Sequence, residues 1–219
     1  MPLLVKICGL STPETLEAAL DAGADMVGFV FFPPSPRHIG LGAARDLGRL
    51  AKGRALKVAL SVDADDADLA NGIESLQPDM LQLHGKESVA RVRDIKRQFG
   101  LPVMKALAIE TADDLKALPA YAAVADRILF DAKPPKEATR PGGLGAAFDW
   151  TLLRDLDPRL PFMVSGGLDA SNVADAVRIT QAGGVDVSSG VESATGVKDA
   201  GLIRDFIRAA RASEKVTSS

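Results

Sequence analysis

The sequence predicts a single-domain α/β fold, a closed (β/α)8 barrel of the TIM type, and three observations carry that prediction. Eight short apolar runs rich in Val, Ile, Leu and Phe recur along the 219 residues, their starts 22 to 30 residues apart at all but one interval. That spacing fits one strand, one loop, one helix and one return loop. The runs are continuous rather than alternating, as expected of strands buried on both faces of a parallel sheet. Stretches with helical spacing lie between them, and an alternating β and α order implies parallel strands joined by right-handed crossovers. Eight repeats in ~220 residues favour closure over an open doubly wound sheet. No Gly-x-Gly-x-x-Gly turn follows the first run, which weakens the dinucleotide-binding alternative.

Taken in order, the runs are Leu3 to Ile7, Met26 to Phe31, Leu56 to Ser61, Met80 to Leu83, Val103 to Leu107, Arg127 to Phe130, Phe162 to Ser165 and Val185 to Val187. After the first, Thr12-Pro13-Glu14 offers a capping hydroxyl, Pro at the first helical position and an acid in the first turn. Leu16, Ala19 and Leu20 then share a face, and Gly23 closes the helix. Leu69, Ile73 and Leu76 form a stripe after Asp65-Asp66, and Val89, Val92 and Ile95 form another before Gly100. Val173 and Val177 follow a candidate cap at Ser171, and Leu202, Phe206 and Ala209 line the last helix. The barrel is expected to occupy residues 1–212, with a polar tail over 213–219 that frays. From Asp131 to Asp149 the connection is longer than compact domains usually use, and such loops are commonly functional.

Composition removes several function classes. With 26 basic and 29 acidic residues and no long block of one sign, the chain lacks the basic stripe of a nucleic-acid binder. Its one Cys permits no internal disulfide and no Cys-based zinc site, and points to a reducing compartment. The start has no secretory pattern, and the longest apolar run is about a third of the ~20 residues a membrane span requires. A cytoplasmic enzyme with no membrane partner is expected, and a monomer, because no exposed apolar stripe stands out.

Barrel enzymes build their sites where strands end and the βα loops gather. The polar residues there are Cys8, Arg37 after Pro33-Pro34-Ser35-Pro36, Gln82 and His84, Lys105, Asp131, Ser165-Gly166-Gly167 and Ser188-Ser189-Gly190. Alternation places Lys6 on the same face as Cys8, and a nearby ammonium favours a thiolate. A lone Cys also serves as a small hydrophobe. Asp131 can be a proton donor in a dry pocket, or else an N-cap or a partner of Lys133. The glycine-rich turns after the seventh and eighth strands can present bare N–H groups to a phosphate, or simply turn the chain. Arg37, on a proline-stiffened loop, suits a carboxylate, though a surface ion pair is the plainer reading.

The ordered set Lys6-Ile-Cys-Gly9, Phe32-Pro-Pro-Ser-Pro-Arg37, Gln82-Leu-His-Gly85, Leu129-Phe-Asp131, Gly142-Gly-Leu-Gly145 with Phe148-Asp-Trp150, Ser165-Gly-Gly-Leu168 and Asp186-Val-Ser-Ser-Gly-Val-Glu192 resembles the phosphoribosylanthranilate isomerase family over nearly the whole chain. The resemblance implies an Amadori rearrangement in tryptophan biosynthesis, an aldose-ketose isomerisation of N-(5-phosphoribosyl)anthranilate to the 1-deoxyribulose 5-phosphate isomer. It implies that Asp131 is the general acid at the furanose ring oxygen and Cys8 the general base at C2′. Arg37 would hold the anthranilate carboxylate. The backbone of Gly166, Gly167, Ser188, Ser189 and Gly190, with help from Gly143, would hold the phosphate. The reaction calls for neither metal nor organic cofactor. Lys6, Gln82 and His84 are expected to line the pocket, His84 as an orienter of Gln82, a ring neighbour or a structural His.

Leu144 departs from the small hydroxyl or amide residue that the family often carries in the Gly-Gly-x-Gly turn, so side-chain donation from that position is lost. Two other readings compete: a Schiff-base sugar-phosphate synthase or aldolase using Lys105, and a non-catalytic phosphate-ligand barrel in which Cys8 only packs. A dual-substrate barrel serving histidine and tryptophan synthesis is disfavoured, because a thiol ends the first strand where a paired-carboxylate mechanism wants an acid.

Overall fold

The structure, a computed structural model, describes residues 2–133, 142–143, 147–157 and 159–214. Eight parallel strands close into a barrel in sequence order. They are β1 (Leu4–Cys8), β2 (Met26–Phe31), β3 (Leu56–Ser61), β4 (Met80–Leu83), β5 (Val103–Ile109), β6 (Arg127–Ala132), β7 (Phe162–Val164) and β8 (Gly184–Val187). Each falls on one of the predicted runs. β1 and β6 extend far enough to include Cys8 and Asp131 as strand residues.

The helices are α1 (Pro13–Asp21), α2 (Leu41–Ala51), α3 (Asp66–Leu76), α4 (Val89–Phe99), α5 (Leu118–Ala122), α6 (Val173–Thr180) and α7 (Ala200–Glu214). Thr12 caps α1 as expected, its hydroxyl accepting from the Thr15 N–H at 3.3 Å, with Pro13 at the first position. Asp65 and Ser88 cap α3 and α4 in the same way. The cap residue of α6 is Asn172, one place beyond the predicted Ser171, whose hydroxyl is taken by Asp169. Helix α7 runs through Glu214 and buries Ser213, so its end overlaps the expected tail, and 215–219 lie outside the described residues. No described helix is long and apolar enough to cross a membrane.

Two crossovers depart from the repeating pattern. Between β5 and β6 a 3-10 segment, Ala112–Ala117, leads into the short α5, where Pro119 leaves room for little more than one turn. Between β6 and β7 the described residues hold only a 3-10 turn, Trp150–Leu153. After β8 comes one 3-10 turn, Ser189–Val191, followed by a hairpin of β9 (Glu192–Ala194) and β10 (Val197–Lys198).

Alternation along the strands separates two apolar populations. Outward residues such as Val5, Ile7, Val27, Phe29, Leu81, Ile128, Phe130, Val185 and Val187 join the helices in one large core. Inward residues fill the lumen in layers: Met26, Val58, Met104, Leu129 and Met163 below, and Cys8, Val30 and Leu60 above. The lower layer plugs the barrel. The upper one opens toward the C-terminal mouth.

At the opposite end an acid precedes β2, β4 and β6. Asp25 donates its N–H to the Val5 carbonyl at 2.9 Å and accepts the Val5 N–H on Oδ2 at 2.7 Å. Asp79 does the same to Lys57, and Asp126 to Val103. Each clamp saturates both backbone groups of a residue at the start of the preceding strand. Asp126→Ala should therefore leave the Val103 N–H without its acceptor and lower stability by about 1–3 kcal/mol. A urea titration showing a lowered midpoint, with catalytic activity of the folded fraction unchanged, is the expected result.

Candidate active site

The mouth above the upper layer is a cavity lined by residues from the C-terminal ends of β1, β2, β3, β4, β6, β7 and β8 and the loops after them. Cys8, Arg37, Gln82, His84, Asp131, Gly143, Gly166, Gly167, Ser188 and Ser189 all line it. The thiol near the chain start and the carboxyl of β6 therefore open into the same space. Two expected members do not line it. Lys6 lies beneath the floor, fully buried, and Gly190 packs against the Leu168 carbonyl so closely that no side chain would fit between them. Leu144, Gly145 and the segment 134–141 lie outside the described residues.

Cys8 is buried at the end of β1, opposite Gly28 of β2. A Cβ on Gly28 would fall 2.9 Å from Cys8 Sγ and 3.1 Å from Lys6 Nζ, so the missing side chain is what admits both groups to the lumen. The expectation that Lys6 would favour the thiolate meets a competitor. Lys6 Nζ donates to Asp186 Oδ1 at 2.9 Å, across the strand pair that places the two residues side by side in register. Burial opposes the Lys6 charge, but Asp186, with Cys8 adding to it, holds the ammonium above its usual value. Burial pushes the Cys8 thiol up; Lys6 and Lys198 pull it the other way, and Asp186 adds to the rise. Desolvation therefore outweighs the neighbouring ammonium, and the thiol is not the lowered one the sequence suggests.

Asp131 accepts the Ala132 N–H on Oδ1 at 2.9 Å and meets His84 Nε2 at 3.1 Å on Oδ2. It does not pair with Lys133, which turns outward to Asp114 at 3.1 Å and Glu110 at 3.4 Å. His84 Nδ1 lies 2.9 Å from Gln82 Nε2, which joins β4 to β6 through one line of contacts.

Arg37 is buried, and its fork is already half occupied. Nε donates to Glu192 Oε1 at 2.6 Å, while Nη2 donates to Glu192 Oε2 at 2.8 Å and to the Gly143 carbonyl at 3.1 Å. Nη1 has no hydrogen-bond partner among the described residues and remains for a ligand. The guanidinium is thus neither a surface ion pair nor an unengaged fork. Glu192 also accepts from Lys198 Nζ at 2.8 Å, and the same ammonium donates to the Ser188 carbonyl at 2.7 Å. Ser188 Oγ in turn donates to the Cys8 carbonyl at 3.2 Å. Burial works against the Glu192 charge, but Arg37 and Lys198 hold its carboxyl down at about 2. Desolvation, with Arg37 adding to it, brings Lys198 to about 8 against the pull of Glu192.

Gly166 and Gly167 turn the chain after β7 with φ of 84° and 63°, a left-handed pair that favours glycine. Their N–H groups make no hydrogen bond among the described residues, and Ser188 and Ser189 face them from the loop after β8. The turn is built for an anion as well as for chain reversal. Lys105, the rival nucleophile, shares the outward parity of Val103 and Leu107 and does not line the mouth. Its Nζ donates to the Leu83 and Gly85 carbonyls at 3.1 and 2.7 Å and to Glu87 Oε2 at 2.8 Å, which pins the loop after β4.

Asp186 and Glu192 stand at the two ends of a motif that carries the resemblance, yet have no role there, and Lys198 has no place in the sequence reading; all three belong to the site. An acid inside the apolar run Val185 to Val187 was a usable signal. The other two lie in a polar stretch with no pattern of its own.

Fold and site together define a (β/α)8-barrel enzyme with a thiol, a carboxyl, a guanidinium and two glycine-bearing turns around one mouth. A family model for N-(5′-phosphoribosyl)anthranilate (PRA) isomerase matches residues 5–209. The N-(5′-phosphoribosyl)anthranilate isomerase of Bradyrhizobium sp. (strain ORS 278) is 71% identical over 217 residues, covering 99% of each chain. The crystal structure of phosphoribosyl anthranilate isomerase from Thermotoga maritima aligns with a TM-score of 0.86 at 33% identity, over 96% of this chain and 99% of that one. A crystal structure of phosphoribosyl anthranilate isomerase in complex with reduced 1-(o-carboxyphenylamino)-1-deoxyribulose 5-phosphate aligns with a TM-score of 0.82 at 31% identity, over 96% and 99%. The chain belongs to the N-(5′-phosphoribosyl)anthranilate isomerase family.

The Glu192 pairing has a pH signature. Its value in the folded protein, about 2, lies below the ordinary 4.5, so its contribution to stability is complete above pH 4.5 and disappears as pH falls toward 2. The stability difference between the wild type and Glu192→Gln, measured by thermal melting, should shrink as pH falls through that window.

Proposed function

We propose that the chain catalyses the Amadori rearrangement of N-(5-phosphoribosyl)anthranilate to 1-(2-carboxyphenylamino)-1-deoxyribulose 5-phosphate, the aldose-ketose isomerisation of tryptophan biosynthesis. The observation that carries the reading is the opening of Cys8 and Asp131 into one cavity that Arg37 and the turns after β7 and β8 also line. An anthranilate carboxylate and a sugar phosphate at the two ends of one substrate match those two anion-binding elements.

Asp131 is the general acid. It gives its proton to the furanose ring oxygen as the C1′–O bond breaks and the nitrogen lone pair forms the C1′=N iminium. Cys8 then takes the C2′ proton, and the C2′–H electrons neutralise the iminium to give an enolamine. Protonation at C1′ and loss of the enol proton give the ketone; solvent then returns a proton to Asp131 and takes one from Cys8, so no atom is gained or lost and both groups regain the states in which they act. Burial disfavours the free thiolate before substrate arrives. The iminium supplies the positive charge that favours it, at the moment the base is needed.

Arg37 Nη1 binds the anthranilate carboxylate, and the N–H groups of Gly166 and Gly167, with the Ser188–Ser189 loop, hold the phosphate; Gly143, expected at the phosphate, sits instead against the Arg37 guanidinium, its carbonyl accepting from Nη2. Gly190 acts indirectly, by letting the loops after β7 and β8 approach. The Schiff-base reading loses support from the outward, fully engaged Lys105. The large exposed apolar side chains, Leu41, Leu56, Val197 and Leu202, are spread over separate elements, which supports a monomer; a cytoplasmic setting accompanies the pathway.

Cys8→Ser and Asp131→Asn should each lower kcat by roughly 10²–10⁴ with a much smaller change in KM. Steady-state assays of both variants, and growth complementation of a tryptophan auxotroph lacking this step, check the assignment. Retention of near-wild-type turnover by either variant would remove that residue from the mechanism. Arg37→Ala should mainly raise KM, about tenfold or more, because it removes binding common to ground and transition states. A large loss of kcat at unchanged KM would contradict that role.

A further inference from the structure

The reading above leaves His84 and Gln82 unused, although both line the cavity and both are tied to the acid. Gln82 Nε2 can only donate, so the imidazole nitrogen 2.9 Å from it, Nδ1, must accept. In a neutral ring the proton then resides on Nε2, which faces Asp131 Oδ2 at 3.1 Å. Gln82 Oε1 is buried without a partner among the described residues, so the contact with His84 is the one hydrogen bond its amide makes among them. Gly142 lies against the contact. A Cβ on Gly142 would fall 2.7 Å from both Asp131 Oδ2 and His84 Nε2, and only a glycine lets the backbone cover that hydrogen bond.

We propose that Gln82 locks His84 as the Nε2–H tautomer, and that His84 so locked is a positioning residue for Asp131, a role that rests on the reading of Asp131 as general acid. Two consequences follow from the chemistry. With Nε2 a donor, His84 cannot accept the proton of Asp131. Oδ1 is engaged by the Ala132 N–H and Oδ2 by the imidazole, which leaves the acid's proton directed into the cavity. Once that proton has gone to the ring oxygen, the neutral hydrogen bond becomes one to a carboxylate and strengthens. The interaction therefore stabilises the state after proton transfer more than the state before it, the condition for raising kcat rather than tightening binding. Among the described residues, the charged groups near His84 and Asp131 include Asp186 on β8, with Lys6 beyond it, and Lys133, whose Nζ pairs with Asp114; none of these donates to Asp131.

The experiment has a spectroscopic arm and a kinetic one. The chain has two histidines, so ¹⁵N-histidine labelling with His38→Asn as the assignment variant isolates the His84 nitrogens. At neutral pH they should report a neutral ring protonated on Nε2, and Gln82→Met should release it into a mixture of tautomers. An Nδ1-protonated ring or an imidazolium in the wild type overturns the lock. In steady-state assays His84→Ala should lower kcat about 10–100-fold with KM within about threefold. His84→Gln, whose Nε2 reaches the position of the imidazole Nε2, should recover activity to within about fivefold of wild type. If Asp131→Asn is inactive while His84→Ala turns over normally, the positioning role is wrong and the acid assignment stands. If Asp131→Asn itself turns over normally, the acid assignment falls and the positioning role with it, whereas the tautomer is still decided by the nitrogen signals.

Discussion

Closure of the barrel between its first and last strands is the constraint on which the rest depends. The β1–β8 seam sets Lys6 beside Asp186, and the ion pair they form sits in the lumen directly beneath the mouth. Two opposite charges so deeply buried are tolerable only because each has the other. A slip of β1 by one residue in that register would turn Lys6 outward into the apolar layer between sheet and helices, leave Asp186 alone in the lumen and remove Cys8 from the cavity. The pair therefore fixes register as well as charge balance, and it separates the plugged lower lumen from the open upper one.

Above that floor the site is organised by carboxylates that engage cations before any substrate does. Asp186 claims Lys6, and Glu192 claims Arg37 and Lys198 together. Each cation is held in one orientation, and only selected donors remain directed at the cavity. Pre-ordering of this kind reduces what a ligand must spend on arranging flexible side chains when it binds. Burial is what raises the thiol against the pull of Lys6, and Asp186, the partner of that ammonium, adds to the rise.

Much of this was legible in the sequence. Cys8, Asp131, Gly166 and Ser188 each follow an apolar run, so a strand prediction alone places them at the C-terminal mouth, and the helix caps at Thr12, Asp65 and Ser88 are local chemistry. What escaped depends on long-range geometry. The Lys6–Asp186 contact needs the register of a seam between residues 180 positions apart. The direction of Lys105 needs strand parity, which a continuous apolar run does not display. Helix α2 hides because its buried face is Ala44, Leu47, Gly48 and Ala51, too small for a clear stripe, and Gly48 is where the Leu76 carbonyl of α3 comes within reach. Glu192 and Lys198 belong to a hairpin whose polar sequence reads as plain loop.

The aspartate clamps at the far end carry a different implication. They tie β1 to β2, β3 to β4 and β5 to β6, each by a reciprocal pair of hydrogen bonds, whereas β8 is preceded by Gly183, which offers no such side chain. The barrel is in this respect a series of stapled doublets with one unstapled pair. Because every staple is remote from the mouth, evolution can rewrite the loops that choose a substrate without loosening the joints that set the cylinder's shape.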